Sequence, residues 1–456
     1  MLAAPDALLS STPNERLVVP YAHDPTKFAV KDRVYNQQYA NLYFTRLDTL
    51  RTRVLESAKK RWSAQPGGEV CYVIGTVYVD MPLKPNILDE ITKESWIVAP
   101  PPREKYVSDE DAVVIEDESG RLKLAGEMLK RTVFVTGTVV GFLGCENKSG
   151  SFEVIDVCYP DFELQPPLPV AEKGSAGYVV IASGLNVGDA GHFKLQLLVE
   201  YLTGELGCSE DQAEIAKIVR LVLAGNSVSQ TKSIEDSKKP SIIKAIGADS
   251  PHAPAPMQTK NRFGNEITTY STEPLHALDV YLAELCTSLD VDLMPGVTDP
   301  ANRSLPQQPI HAAIFPQARG YSTLHCVSNP HGFDAGGVSF LGTSGQTVDD
   351  IFRSVKSDSR LEVAERTLEW AHLAPTAPDT LWCYPFKADD PFVMPTRPHV
   401  YFIGNQPEFE TSLVEGPDGS QTRVVLVPSF STTGAVAVVD LATLDCTPVV
   451  FSDMEL

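Results

Sequence analysis

The stretch Tyr178 to Gly188, YVVIASGLNVG, constrains this chain more than any other. An unbroken apolar run from Tyr178 to Ala182 gives way abruptly to Ser183, Gly184 and Gly188. A run of that kind reads as a strand buried on both faces, and the small residues after it mark a loop. Ends of such strands are where α/β folds keep their chemistry. The following sequence continues the pattern, with a helical stretch from about His192 and Ser209-Glu210-Asp211-Gln212 as a capping box opening a second helix. Ile218 to Ala224 is the next strand. Leu275, Leu278, Leu282, Leu285 and Leu289 mark one face of a helix leading into a strand at Val291 to Met294, and Leu361 to Ala371 is a further helix. Later β runs cover Val338 to Leu341, His399 to Ile403, Arg423 to Val427, Ala435 to Leu441 and Pro448 to Phe451. Strands alternating with helices predict a layered α/β domain over residues 171–456, interrupted by a polar, mobile insertion at about 227–271 that includes SIEDSKKP and PHAPAP.

The first part of the chain has a different period. From Tyr35 to Trp62, apolar residues recur three or four apart at Tyr39, Leu42, Tyr43, Leu47, Leu50, Val54, Ala58 and Trp62, which predicts an amphipathic helix in an N-terminal segment, 1–64. Arg46, Arg51, Arg53, Lys59, Lys60 and Arg61 are read as its solvated faces. After Gln65-Pro66-Gly67-Gly68 the alternation becomes that of strands: Val70 to Asp80, Ala112 to Ile115, RLKLAG after an EDESG turn, Thr132 to Leu143 with Gly137 and Gly141 as bends, and Phe152 to Cys158. This order over residues 65–170 resembles an OB-fold, a small barrel, followed by a Pro-rich linker from Pro160 to Gly177. OB-folds that hold single strands stack bases on aromatics over a basic groove. Tyr72, Tyr78, Phe134 and Phe142 are available, but from Glu104 to Gly120 seven acidic residues accompany one basic residue, Lys105. A protein-binding or structural barrel is therefore expected, with single-stranded DNA binding as an alternative.

Charge supports that choice. With 59 acidic against 38 basic residues the net charge is −21, the wrong sign for a surface that neutralises phosphates. Little direct nucleic-acid binding is expected. The eight cysteines are scattered without a Cys-x-x-Cys pair, which fits free thiols in a reducing compartment. The N-terminal MLAAPDALLSSTPNERL has no basic n-region, and no apolar run is long enough to span a membrane.

SGLNVG resembles the Ser-Asp-Leu-His-Leu-Gly of calcineurin-like metallophosphoesterases, with Gly184 and Asn186 where metal-binding Asp and His stand. Four further motifs of that family have counterparts in order. In LAGNSVS, Asn226 and Ser229 take the two carboxylate positions; in MPGVTDP, Val297 and Thr298 replace the Asn ligand and the catalytic His, leaving the non-ligating Asp299. In FLGTSGQ, Ser344 takes a His position, and in IGNQP, Asn405 and Pro407 replace two histidines. None of these positions carries an imidazole or a carboxylate. Two metals in such a site activate water and clamp the phosphoryl oxygens, so their ligands cannot be lost without losing the chemistry. The resemblance implies a layered αββα domain lacking its metal ligands, with no cofactor and no catalytic residue. A divergent phosphoesterase is the alternative reading.

Longer stretches narrow the resemblance. VDLMPGVTDPANRSLPQQPIH from Val291 to His311, Ser328-Asn329-Pro330, FLGTSGQTVDDIF, LAPTAPDTLWCYPF and HVYFIGNQPEF are similar to the small, or B-type, subunits of eukaryotic DNA polymerase delta. That family implies a nuclear, noncatalytic subunit in DNA replication and repair, with polymerase activity residing in the catalytic subunit. It would bridge the cysteine-rich C-terminal module of the catalytic subunit and the N-terminal domain of the third subunit, and reach the sliding clamp only indirectly. Such a scaffold needs exposed apolar anchors, and Trp382, Tyr384, Phe386 and Phe392 are the candidates, against ordinary loop packing of the second domain, which is the favoured reading of the same run.

Overall fold

The computed structural model describes residues 15–31, 33–36, 38–63, 70–84, 103–170, 176–189, 192–229, 272–416 and 419–452. Most of the expected insertion, 230–271, lies outside the described residues, as do the Gln65 to Gly68 turn and MLAAPDALLSSTPN.

A short strand, β1 (Tyr21–His23), precedes the long helix α1 (Ala40–Trp62). Leu42, Leu47, Leu50, Val54, Ala58 and Trp62 form the buried stripe of α1, and Lys59, Lys60 and Arg61 sit in its last turn, where cations complement the exposed carbonyls. Arg46 departs from the expected solvated face: it lies inside the stripe and is completely buried. Arg53 is also drawn inward, donating from Nε to the carbonyl of Asp161 at 2.6 Å.

The barrel follows: β2 (Cys71–Asp80), β3 (Ala112–Glu116), β4 (Arg121–Ala125), the single-turn helix α2 (Met128–Arg131), β5 (Val139–Glu146) and β6 (Phe152–Cys158). These strands close in the order β2-β3-β4-β6-β5. The EDESG turn forms because Asp117 Oδ1 accepts from the backbone N–H groups of Ser119 and Gly120 at 2.8 and 3.2 Å. The run expected to begin at Thr132 becomes a strand only at Val139. A turn at Thr136 and Gly137 interrupts it, with Gly137 at φ +91°, a conformation that favours glycine. Gly137 is thus a bend, as expected, and the bulge falls between Leu143 and Gly144.

The rest of the chain builds two six-stranded sheets. Its elements are β7 (Tyr178–Ala182), α3 (His192–Thr203), α4 (Ser209–Ile215), β8 (Ile218–Ala224), α5 (Glu273–Cys286), β9 (Asp290–Met294), β10 (Leu324–Cys326), β11 (His331–Ala335), β12 (Val338–Thr343), α6 (Gln346–Arg353), α7 (Arg360–Glu369), β13 (Val400–Gln406), β14 (Glu410–Glu415), β15 (Gln421–Pro428), α8 (Phe430–Thr433), β16 (Ala435–Asp440) and β17 (Cys446–Val450). One sheet runs β1-β11-β12-β13-β15-β14 and the other β10-β9-β8-β7-β16-β17. The cap of α4 is Cys208 rather than Ser209, its N–H donating to Asp211 Oδ2 at 2.9 Å.

Side-chain alternation along β7 explains the layering. Val179 and Ile181 join Phe340, Val400, Phe402, Val425 and Val427 between the two sheets, whereas Val180 and Ala182 face Leu195, Leu198, Leu278 and Leu282 of α3 and α5. On the far face of the other sheet, Tyr401, Ile403 and Leu426 pack on Val348, Ile351, Val363 and Leu368 of α6 and α7. Each such side chain, fully removed from water, contributes roughly 1.5–3 kcal/mol, which is why the apolar runs are continuous.

Two connections are more integrated than the sequence implies. The N-terminal segment divides: before α1 it belongs to the sheets, since β1 pairs with β11 and Arg16 donates to the carbonyls of Leu202 and Ile218 at 2.7 Å each. The stretch after β6 is likewise clamped, with Gln165 Nε2 donating to the Gln421 carbonyl at 2.8 Å and Gln421 N–H returning to Gln165 Oε1 at 3.0 Å.

Candidate functional site

In each sheet three or more neighbouring strands run parallel, so the loops after β7, β8, β9, β12, β13 and β15 emerge at strand C-terminal ends. These loops meet. Gly184 N–H donates to the Gly225 carbonyl at 2.9 Å, Asn186 N–H to the Asn226 carbonyl at 3.0 Å, and Asn405 N–H to Ser183 Oγ at 2.8 Å. Six of the nine positions singled out in the sequence, Gly184, Asn186, Asn226, Thr298, Ser344 and Asn405, are thereby joined in one hydrogen-bonded cluster.

The backbone there is unusual. Asn186, Asn226 and Asn405 all have positive φ, at 45°, 54° and 56°, and Gly184 and Gly225 lie at 61° and 83°. Asparagine tolerates this region better than most residues, and such conformations persist only where surrounding structure holds them. The side chains do the holding. Asn405 Nδ2 donates to the carbonyls of Ser344 and Ala224 at 2.9 and 3.2 Å, tying the ends of β12 and β8 to β13. Asn186 Nδ2 donates to Ser431 Oγ at 2.8 Å and Ser429 Oγ at 3.3 Å, and Asn226 Oδ1 accepts from Thr298 N–H at 3.2 Å.

Asp299, next to Thr298, is buried and faces the backbone. Its Oδ1 accepts from Val228 N–H at 3.0 Å and its Oδ2 from Gly296 N–H at 2.8 Å. Burial pushes its carboxyl up to about 6, with those amide hydrogen bonds opposing the rise. Among the described residues no group of three or more His, Cys, Asp or Glu side chains is placed to hold a metal ion.

Ser229 is buried beside Gly188 and Pro274, whereas Val297 and Pro407 are exposed at the rim. A buried set that residue-type reasoning did not single out completes the cluster. Asn329 Nδ2 donates to Gln307 Oε1 and Ser344 Oγ at 2.8 Å each, Ser344 Oγ to Gln346 Oε1 at 2.6 Å, and Gln346 Nε2 to Gln307 Oε1 at 2.9 Å. Gln307 and Asn329 lie in LPQQPIH and Ser328-Asn329-Pro330, two of the stretches that carry the resemblance, but nothing local says that they meet.

Of the four aromatic anchors expected to meet partners, Trp382 alone is largely exposed, at 68%. Phe392 is completely buried. Tyr384 is buried because its hydroxyl donates to the Val34 carbonyl at 2.9 Å and accepts from Val34 N–H at 3.0 Å, and Phe386 is half-buried with its ring against both. These three pack the molecule itself. In the barrel, Phe134 and Phe142 are interior, and Tyr72 and Tyr78 lie against Trp62 and Arg121. No helix among the described residues is long and apolar enough to cross a membrane.

Residues 38–157 match the family described as the DNA polymerase delta subunit OB-fold domain, and residues 179–411 match the family of the DNA polymerase alpha/epsilon B subunits. A barrel followed by this two-sheet unit thus falls in the class of B-type subunits of DNA polymerases. Relatives include the DNA polymerase delta small subunit of Arabidopsis thaliana, 37% identical with 96% of this chain and 97% of that one covered. They also include DNA polymerase delta subunit 2 of Drosophila melanogaster, 38% identical over 96% and 98%, and the small subunit of Saccharomyces cerevisiae, 34% over 92% and 91%. The chain belongs to the DNA polymerase delta small-subunit family.

Proposed function

We propose that this chain is a noncatalytic connector of nuclear DNA polymerase delta, working in replication and repair synthesis with the polymerase chemistry held by the catalytic subunit. It bridges the cysteine-rich C-terminal module of that subunit and the N-terminal domain of the third subunit, and the sliding clamp is reached through these partners. The working units are the barrel, 65–170, and a calcineurin-like two-sheet domain, 171–456, that has lost its metal centre; α1 and the segment before it, within 1–64, tie the two together.

One observation carries this reading: the carboxamide of Asn405 donates to the carbonyls of Ala224 and Ser344. Where a phosphoesterase would hold its strand ends with shared metals, neutral amides and hydroxyls hold them here. Those groups do not fit a dinuclear centre, because they are neutral and supply no bridging charge, even though Asn405 Oδ1 is buried without a hydrogen-bond partner. The loops after Gly184, Asn186, Asn226, Ser229, Val297, Thr298, Ser344, Asn405 and Pro407 therefore serve shape, and the exposed Trp382 is the anchor offered to a partner.

Co-purification tests it. The full chain should retain a catalytic subunit that keeps its C-terminal module and lose one that lacks it. Capture independent of the module would overturn the assignment, as would stoichiometric bound metal with phosphodiester turnover.

A further inference from the structure

β1 covers one edge of its sheet with three register pairs, Tyr21 with Ala335, Ala22 with Asp334 and His23 with Phe333. Beyond these pairs, Gly336 N–H donates to the Pro20 carbonyl at 2.8 Å, Arg16 anchors the segment before the strand, and side chains beneath β1 add to its hold. Arg220 Nη1 on β8 donates to Asp292 Oδ1 on β9 at 2.6 Å. The guanidinium also lies 3.5 Å from the centre of the Tyr21 ring, whose hydroxyl reaches Asp292 Oδ2 at 3.4 Å. His331 Nε2 on β11 sits 3.3 Å from the same oxygen, and the His23 ring meets the His331 ring edge-on at 4.9 Å.

The cluster has little room for extra positive charge. Asp292 and His331 are completely buried, and His331 Nδ1 has no hydrogen-bond partner. The other groups facing the strand are Asp24 beside it, Asp290 on β9, paired with His325 on β10 at 3.1 Å, and Lys27 and Asp334 at the opening next to His23. Arg220 already offsets Asp292 and also lies 3.8 Å from Asp290. A proton taken up by His23 would enter a ring held edge-on against His331. Burial lowers the His23 imidazole below its ordinary value, and His331 lowers it further against the opposing pull of Asp292 and Asp24.

We propose that β1 is an acid-released strap: with His23 neutral it stays on the sheet edge, and protonation of His23 against the His331 ring expels it and uncovers the backbone groups of β11. The docked state binds fewer protons than the released one, so release is favoured as pH falls through the ordinary histidine value of about 6.5. An uncovered strand edge is a template for pairing with another chain.

Amide hydrogen exchange on the full chain, normalised to the intrinsic rate at each pH, reads this directly. Between about pH 7.5 and about pH 5.5, protection of Tyr21 to His23 and of the facing β11 amides should fall roughly tenfold, a shift worth one pH unit of a single proton. β8 and β13 should keep theirs. His23→Gln, at a half-buried position beside an opening, should fold and lose most of the pH response. Unchanged protection in the wild type, an equal response in His23→Gln, or loss shared equally by β8 would each overturn the strap.

Discussion

Arg46 Nε and Asp390 Oδ2 lie 2.7 Å apart with both side chains completely shielded from water. The same guanidinium donates to the carbonyls of Gly137 at 2.9 Å, Pro375 at 2.8 Å and Ala377 at 2.7 Å. One side chain on α1 thus fastens the barrel to the two-sheet unit. Removing one partner of a buried ion pair leaves an uncompensated charge and typically costs about 3–5 kcal/mol. Arg46→Ala should lower unfolding free energy by that much in denaturant titration. Arg46→Lys should recover only part, since an ammonium cannot reproduce the planar fork. A loss below about 1 kcal/mol, the range of surface pairs, would contradict this role.

The neighbouring His372, whose Nε2 is 2.9 Å from Asp390 Oδ2, sets an acid limit. Burial lowers its imidazole to about 4, with Arg46 adding to the effect and Asp390 opposing it. The neutral ring belongs to the folded state, so its contribution is complete above about pH 6.5 and is lost as pH falls from there toward 4. At about 1.4 kcal/mol per pH unit the loss reaches on the order of 3 kcal/mol. Asp390, held well below the usual carboxylate range despite burial by Arg46 and His372, weakens the fold in the same direction at still lower pH. Equilibrium unfolding across this range should show the slope in the wild type and a shallower one in His372→Gln.

Restoring acidic and imidazole groups at the loop cluster should not restore hydrolysis. A Cβ at Gly184 would lie 2.8 Å from Asn405 Oδ1 and collide with Ser429, at a φ of +61°. Gly184→Asp should therefore cost roughly 1–3 kcal/mol through strain alone. The triple variant Gly184→Asp, Asn186→His, Asn226→Asp should release no product from a phosphodiester reporter with manganese present, because the remaining positions still lack donors. Metal-dependent turnover by that variant would count against a lost metal centre.

Trp382 and Phe392 separate binding from folding. Phe392→Ala empties a closed core position and should destabilise by about 3–5 kcal/mol. Trp382→Ala should leave stability within about 0.5 kcal/mol, as surface changes do. If Trp382 anchors a partner, its loss should cost at least about 2 kcal/mol of binding, roughly thirtyfold in co-purification or interferometry with the other subunits. Wild-type affinity in Trp382→Ala would remove it from the interface.

Many of the elements were legible from the residues, although β1, β10, β11, β14 and α6 were not. β7 and β8 start and stop where their apolar runs do, because a strand buried on both faces leaves an uninterrupted signature, and β6 follows its alternation of buried and exposed residues. Four of the five loops were legible too, since each follows a strand with a Gly or Asn that takes positive φ: Gly184 and Asn186, Gly225 and Asn226, Gly345, and Asn405. What tertiary structure alone decided is which polar groups go inside. Arg46 carries the marks of a solvated helix face, and only the convergence of Gly137, Pro375, Ala377 and Asp390 makes its burial favourable. Gln307, Asn329 and Gln346 show the same dependence, and Tyr384 turned inward because Val34, far away in the chain, satisfies its hydroxyl. Burying a polar side chain is determined by partners distant in sequence, and periodicity records only the apolar half of that balance.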